Sequence, residues 1–371
     1  MNHTPCSTVP LLHTCRWLLF VLACLGAAQS QTGEDATGAL ISRGEGAGAT
    51  RHQLPERAVD TTDLPHTRLA VEDGDDATLP LYRIGPDTYF LYGNISTIDE
   101  DNRGFNGNAG FIVTNDGVVV IDALGTPFLG RRLISTIRAV TDQPIRYLIL
   151  THNHPDHAYG ASAFRAIEDI LVIGHAGMAD YLASATLEES VAYRRELLPK
   201  DMEGFEAVEA DLAVPEERFA RHRIELGGKT IDVYNAGQHH SHGDLVVHQV
   251  EDEILWISDL AFNQRLTYIG DGNSRQSLEA QEWLQDHFPD ARLMVPGHGS
   301  AQTPPFPMVQ ATHDYIREMR QRIGEKVESG VPLMETVEQV EMQEWRDVPL
   351  YEENQRANTS FIYRELEFEL F

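Results

Sequence analysis

The sequence places three histidines and one aspartate within six residues, directly after a predicted strand. Residues 145–150 (IRYLIL) have the apolar composition of a buried strand, and THNHPDHAYG follows them. In an extended segment the first two histidines project to one side, and the proline then redirects the aspartate and the third histidine. Imidazole and carboxylate groups are ligands for zinc, iron and manganese. The spacing predicts part of a metal site, with a polar surface turn as the alternative, and the candidate ligands are His152, His154, Asp156 and His157.

Three further candidate ligands each follow another predicted strand. His240 comes after the strand at 231–234, Asp259 after 254–257, and His298 after 292–295. Loops at strand ends are where proteins concentrate binding and catalytic residues. A surface turn explains one such group but not a series of them, so the pattern favours a metal site. His175, His248, His287 and His313 show no such pattern and are assigned to structure.

Strands and helices alternate along the central and C-terminal parts of the chain. Residues 111–121 read as a hairpin with a turn at 115–117, and apolar residues between 129 and 140 fall on one helical face. A second amphipathic helix is predicted between 309 and 327. Such interleaving predicts an α/β layered domain in which helices cover the faces of the sheets.

The N-terminus has the pattern of a secretory signal. A basic residue precedes the apolar run at 17–25, and small residues follow at 26–30. We predict a signal peptide over 1–30 and a periplasmic or secreted protein, with lipid anchoring at Cys24 as the second choice. No further membrane-spanning candidate follows, so no stable transmembrane segment is expected after cleavage. All three cysteines lie in this segment, so a mature chain would contain no thiol; they are Cys6, Cys15 and Cys24.

The rest of the chain divides by composition. Residues 31–77 are rich in small and acidic residues and read as a flexible acidic leader. Residues 78–371 are predicted to form one catalytic domain with C-terminal helices. The chain carries 57 acidic and 29 basic residues, a formal charge of −28, which would repel nucleic acid. We therefore expect a small-molecule substrate, and the sequence leaves the oligomeric state open.

The order of these motifs resembles the metallo-β-lactamase-fold hydrolase superfamily over about residues 80–300. The tail from Asn358 to Glu367 and the long loop after Asp259 are similar to a periplasmic branch, the quinoprotein-relay zinc metallohydrolases. The resemblance implies a four-layer αββα sandwich. His240 is preferred over His239 and His242 because His240-Ser-x-Gly-Asp resembles the family's His-Thr-x-Gly-Asp pattern.

The resemblance also implies how the ligands are shared between two metal ions, expected to be Zn²⁺ with iron or manganese as alternatives. One ion would take His152, His154 and His240, and the other would take Asp156, His157 and His298, with Asp259 bridging them. Asp122, at the end of a predicted strand, matches an aspartate that supports the site from outside; a turn aspartate is the alternative.

This site predicts hydrolysis by a hydroxide held between two metals, with Asp156 and Asp259 as the catalytic carboxylates. Dedicated β-lactamases of this fold usually have cysteine or no ligand at the bridging position. Asp259 therefore favours an ester, thioester, lactone or related carbonyl substrate, and β-lactam hydrolysis is the alternative. A function of another class is a metal-binding accessory protein of a periplasmic redox pathway.

Two segments are predicted to wall the substrate pocket, residues 178–222 and 262–275. The second contains Arg265, Tyr268 and Arg275, which are candidates for binding a substrate anion or oxyanion. The alternative is that they are surface charges and a packing aromatic.

Overall fold

The computed structural model describes Leu64 and residues 70–74 and 77–370. The predicted signal peptide and most of the predicted acidic leader lie outside the described residues. Among the helices of the described residues, none is both long enough and apolar enough to cross a membrane.

Seven strands form the first sheet, in the order in which they occur along the chain. The first four strands pair antiparallel, and the fourth to seventh pair parallel. The predicted hairpin is confirmed as the third and fourth strands, where the amide of Thr114 donates to the carbonyl of Gly117 at 2.9 Å. The strands are β1 (Tyr82–Arg83), β2 (Thr88–Leu91), β3 (Ala109–Val113), β4 (Val118–Ile121), β5 (Ile145–Ile149), β6 (Leu171–Gly174) and β7 (Leu212–Ala213).

Five strands form the second sheet, in the order β12-β11-β10-β9-β8. Neighbours pair antiparallel except β11 and β12, which are parallel. Each strand predicted between residues 231 and 295 lies in this sheet. The strands are β8 (Arg221–Leu226), β9 (Lys229–Gly237), β10 (Asp244–Gln249), β11 (Ile254–Ser258) and β12 (Leu293–Pro296).

Helices connect the strands and form the C-terminal part of the chain. The helix predicted between 129 and 140 begins at Pro127, where the side chain of Thr126 accepts from the amide of Leu129. The helix predicted between 309 and 327 is also confirmed. The helices are α1 (Pro127–Val140), α2 (Pro155–Ala158), α3 (Ala161–Phe164), α4 (Met178–Leu182), α5 (Ala185–Leu197), α6 (Ser274–His287), α7 (Pro307–Glu328), α8 (Leu333–Gln339) and α9 (Tyr351–Leu370).

Alternation along the strands divides the core into three apolar layers. In β4, Val118 and Val120 pack against the layer that contains Leu129 and Leu133 of α1. The other residues of β4 face the layer between the two sheets, together with residues of β9, β10 and β11. The outer face of the second sheet packs on α6 and the start of α7. Three apolar layers separate four structural layers, so the predicted αββα sandwich is confirmed.

The C-terminal helices build a fourth apolar cluster beside the sandwich. Met319 and Ile323 of α7 pack there with Ile362 of α9. Leu266 and Ile269, from the segment that precedes α6, belong to the same cluster. The cluster therefore connects α9 to the segment that follows β11.

Candidate metal centre

The seven predicted ligands lie in loops that leave strands of both sheets. His152 and His154 follow β5, and the short helix α2 then carries Asp156 and His157. His240 lies between β9 and β10, Asp259 directly follows β11, and His298 follows β12. Since β11 and β12 are parallel neighbours, the loops after them emerge at the same edge of the sheet.

Their ligand atoms form two groups. In the first group are His152, His154, His240 and Asp259, and in the second are Asp156, His157 and His298; within each group the atoms lie within 4.8 Å of one another. In the first, Nδ1 of His154 lies 2.8 Å from Nε2 of His240. In the second, Nε2 of His298 lies 3.4 Å from Oδ2 of Asp156.

The Asp259 carboxylate faces both groups. Its Oδ2 lies 3.0 Å from Nε2 of His240 and 3.3 Å from Nε2 of His298. Its Oδ1 lies 3.5 Å from Nε2 of His157. An ideal Cβ on Gly297 would lie 1.9 Å from Oδ1 of Asp259, so only glycine allows this approach.

The chemistry of this cluster suits bound cations. Nε2 of His152 and Oδ1 of Asp259 are buried and have no hydrogen-bond partner within the described structure. Leaving buried polar atoms unsatisfied costs about 1–3 kcal/mol each. Imidazole nitrogens and carboxylate oxygens at such separations are the ligand set that zinc, iron or manganese uses in proteins. The residues therefore fit the predicted pair of metal ions.

The charges in the cluster depend on one another. Burial alone would lower the pKa of His157, but Asp259, Asp122 and Asp156 outweigh it and raise this pKa to about 10. Burial alone would raise the pKa of Asp259, but His298, His157 and His240 hold it well below its usual range. The Asp259 carboxylate is therefore ionised, and a bound metal would take the place of the proton on Nε2 of His157, since metal ligands must be deprotonated.

Asp122 lies directly behind His157. Its Oδ2 is 2.9 Å from Nδ1 of His157, and its Oδ1 accepts from the amide of Thr151 at 2.8 Å. Nε2 of His157 is thereby left facing the cluster. An outer carboxylate of this kind fixes the tautomer and the orientation of a ligand imidazole. Asp122 adopts a φ of 60°, a conformation that aspartate tolerates better than most residues.

The three candidate substrate residues have different surroundings. Nη1 of Arg265 lies 3.1 Å from Nδ1 of His298, and the ring of Tyr268 lies 6.5 Å from that of His240. The Arg275 guanidinium instead pairs with Glu369 of α9. The structure brings the first two to the candidate metal centre, whereas the side chain of Arg275 joins α6 to α9.

Several residues beside the ligands were not identified from the sequence. Nδ2 of Asn106 donates to Oδ2 of Asp156 at 3.0 Å. Oδ2 of Asp271 lies 3.5 Å from Nε2 of His154, and this histidine lowers the pKa of Asp271. Oδ2 of Asp244 accepts from the backbone amide of His240 at 2.9 Å. Only Asp244 had a signal, as the last residue of the His240-Ser-x-Gly-Asp motif.

The neighbouring histidines take other positions. His239 is buried, and its Nδ1 lies 3.8 Å from Oδ2 of Asp244. The ring of His242 lies 5.9 Å from that of Tyr181. Neither belongs to the two groups of candidate ligands, whereas His240 does.

An αββα sandwich with histidines and aspartates on the loops of both sheets defines a class of metal-site proteins. The chain belongs to one family of that class, the metallo-beta-lactamase superfamily, whose family model matches residues 102–298, or 197 of the 371 residues.

The individual relatives either match only a short part of the chain or share less than 20% of its sequence. A linear primary-alkylsulfatase from a Pseudomonas species is 31% identical over 55 residues, which are 15% of this chain and 10% of that protein. A stereoselective inverting sec-alkylsulfatase from Pseudomonas sp. superimposes with a TM-score of 0.59 at 17% identity, covering 78% of this chain and 50% of that one. A metallo-beta-lactamase from Pontibacter korlensis gives 0.50 at 18% identity, covering 65% and 99%. At these identities, the structural likenesses show the fold alone.

Proposed function

We propose that the protein is a dinuclear zinc-dependent hydrolase of a small molecule. The observation that carries the proposal is the Asp259 carboxylate, which lies within 3.5 Å of histidines of both groups. A shared carboxylate is the arrangement expected of a two-metal site rather than of two separate ones. His152, His154 and His240 would hold one ion, and Asp156, His157 and His298 the other.

When bound, such ions polarise a substrate oxygen and lower the pKa of water toward neutrality. The protein's own residues would hold and orient that site. Asp122 fixes the ring of His157 through Nδ1, and Asn106 donates to Asp156. The buried carboxylate of Asp259 and the half-buried carboxylate of Asp156 would offset the positive charge of the ions.

Arg265 and Tyr268 would orient the substrate. The Arg265 guanidinium is partly buried, its Nε has no hydrogen-bond partner, and no described carboxylate lies within 4.0 Å of it. An anionic substrate group would supply the missing partner. Burial and the charge of Asp271 raise the pKa of Tyr268 to about 12, so its hydroxyl stays protonated at neutral pH and can donate to a substrate oxygen.

The favoured substrate is an ester, thioester, lactone or related carbonyl compound, and a β-lactam is the alternative. Hydrolysis of an alkyl sulfate is a second candidate, because both a curated relative and a structural relative are named as alkylsulfatases. A guanidinium beside the second group that has no carboxylate partner in the described structure would also suit a sulfate ester. We further propose that the protein is periplasmic or secreted, on the signal-like pattern of residues 1–30.

The test combines metal analysis with a substrate panel. Purified protein should contain two zinc ions per chain and should hydrolyse at least one member of a panel of esters, thioesters, lactones, β-lactams and alkyl sulfates. Activity should disappear with a chelator and return with added metal. One metal or none, with no turnover on any substrate, would refute the proposal and favour the accessory-protein function.

Asp259→Ala is predicted to lose the second metal and most of the activity while the fold is retained. The substitution removes a carboxylate that faces both groups, so each ion loses a ligand. Metal content, turnover and circular dichroism should be measured on the same preparation. A variant that keeps two metals and the original turnover would show that Asp259 does not bridge them.

A further inference from the structure

The segment between β11 and α6 is fixed to α9 along one face of that helix. Nδ2 of Asn354 donates to the carbonyl of Leu266 at 2.9 Å. Asn358 makes two bonds to the segment: its Nδ2 donates to the carbonyl of Thr267 at 2.8 Å, and its Oδ1 accepts from the amide of Ile269 at 2.9 Å. Because Asn354 and Asn358 are four positions apart, they share a face of the helix.

A carboxylate of α9 also binds the first residue of α6. Oε2 of Glu365 accepts from the backbone amide of Ser274 at 2.8 Å. Glu365 is seven positions after Asn358, two turns further along the same face. Asn358 is fully buried, so its amide would lose two of its hydrogen bonds if the segment moved away and would keep only the one to the hydroxyl of Tyr315. The backbone of the segment is thereby held at both ends of the stretch that contains Asp271.

The other side of the segment rests on the loop that carries His240. The amide of Asn273 donates to the carbonyl of Gln238 at 2.8 Å. An ideal Cβ on Gly272 would lie 2.4 Å from the carbonyl oxygen of His239 and 2.6 Å from Cα of His240. This contact leaves no room for a side chain at residue 272, and it places the neighbouring Asp271 beside the first group.

The outer nitrogen of His154 has a carboxylate beside it. Nδ1 of His154 faces His240 at 2.8 Å, and Nε2 lies 3.5 Å from Oδ2 of Asp271. Throughout the described structure, no other carboxylate oxygen lies within 4.0 Å of a nitrogen of this ring. A carboxylate at Nε2 keeps the proton there, which leaves the lone pair of Nδ1 directed at the metal centre.

We propose that Asp271 is a positioning residue for His154 and that α9, through Asn358, holds Asp271 in place. The C-terminal helix thus sets the metal affinity of the first group without contacting a ligand. The inference rests on the proposed function, because it assumes that His154 binds a metal.

The test is a double-mutant cycle with Asp271→Ala and Asn358→Ala, read out as zinc affinity of the first group by competition with a chelator. Each single variant should bind zinc about 10-fold more weakly, the usual effect of losing an outer partner of a ligand. The double variant should bind no more weakly than Asp271→Ala, because both changes remove the same support. Asp271→Glu should restore part of the affinity. Asp286→Ala, which removes an exposed acid of α6, is the matched control and should bind as the original protein does.

A second readout does not depend on a metal. In metal-free protein labelled with ¹⁵N-histidine, the His154 ring should carry its proton on Nε2, and Asp271→Ala should move part of that population to Nδ1. If Asn358→Ala does not fold, Glu365→Gln is the milder variant, because it weakens the contact with Ser274 and leaves the buried amide intact.

These experiments distinguish a failure of the proposed role of Asp271 from a failure of the proposed metal-dependent function. Unchanged zinc affinity and an unchanged His154 tautomer in Asp271→Ala would overturn the role of Asp271. Additive losses in the double variant would overturn the route through α9. If the original protein binds no metal at all, the proposed function fails, and if it binds two ions that Asp271→Ala holds equally well, only the inference fails.

Discussion

Asp259 is the residue on which the interpretation of this site depends, and its position was predictable from the sequence. It directly follows a strand in which every residue is buried, and His298 and the group at 152–157 also follow strands. Each candidate ligand lies in a short motif at the end of a strand, so the sequence alone was sufficient to predict it. Asn106 and Asp271 lacked such a signal, because each reaches the site only after a long loop has folded against a distant one.

A second buried aspartate provides a pH test at the residue scale. Asp232 of β9 lies opposite Arg223 of β8, whose Nε and Nη2 bind its two oxygens at 2.7 and 2.8 Å. Arg221 adds a contact of 3.0 Å. Burial opposes ionisation, but the two arginines outweigh it and lower the pKa of Asp232. The ionised carboxylate is therefore more stable in the folded than in the unfolded chain.

Asp232→Asn should lower the free energy of unfolding by about 2 kcal/mol at pH 7. Since the pKa is lowered in the folded state, the stabilisation is complete above the unfolded value of about 4 and is lost as the pH falls below it. Urea unfolding at pH 7, at about pH 4 and at about pH 3 should show a gap between the two proteins that narrows only at the most acidic pH. Asp142→Asn, at an exposed position, is the control. A gap that stays constant with pH would contradict the ion-pair explanation.

At the scale of elements, strongly periodic segments were predictable and short ones were not. α1 and α7 have clear apolar faces, and the β3–β4 hairpin has a recognisable turn. The two-residue strands β1 and β7 are too short to show alternation, and only pairing with a neighbour defines them. Likewise, nothing in the sequence of α9 indicated that its asparagines bind the segment before α6.

Two glycines should respond in opposite directions to the same substitution. An ideal Cβ on Gly110 of β3 would lie 2.0 Å from Cη2 of Trp256, where the two sheets meet. Gly110→Ala should therefore destabilise the protein by about 1–3 kcal/mol. On Gly324 of α7, a Cβ would meet only Cδ1 of Leu366 at 3.9 Å, so Gly324→Ala should stabilise it by up to about 1 kcal/mol. Chemical denaturation would measure both, and equal shifts in the same direction would contradict this packing.

For the whole molecule, the formal charge of −28 should make stability depend on salt. Repulsion among acidic groups opposes the compact state, and salt screens it: the Debye length falls from about 30 Å at 0.01 M to about 3 Å at 1 M. The melting temperature should rise with sodium chloride and rise equally with potassium chloride, because screening does not distinguish them. A melting temperature that falls as either salt is added would show that ion pairs outweigh repulsion.

The route of the chain through the candidate metal centre has a consequence for the lifetime of the fold. The ligands at 152–157 follow β5, a strand of the first sheet, whereas His240, Asp259 and His298 follow strands of the second. Ions held at this edge would join the two sheets through metal–ligand bonds. The sheets could then separate only after a ligand was released. A free metal concentration about 1,000 times above the dissociation constant adds about 4 kcal/mol to stability. The rate of unfolding would then be limited by the rate at which the metal dissociates. A chelator would therefore make the protein unfold faster.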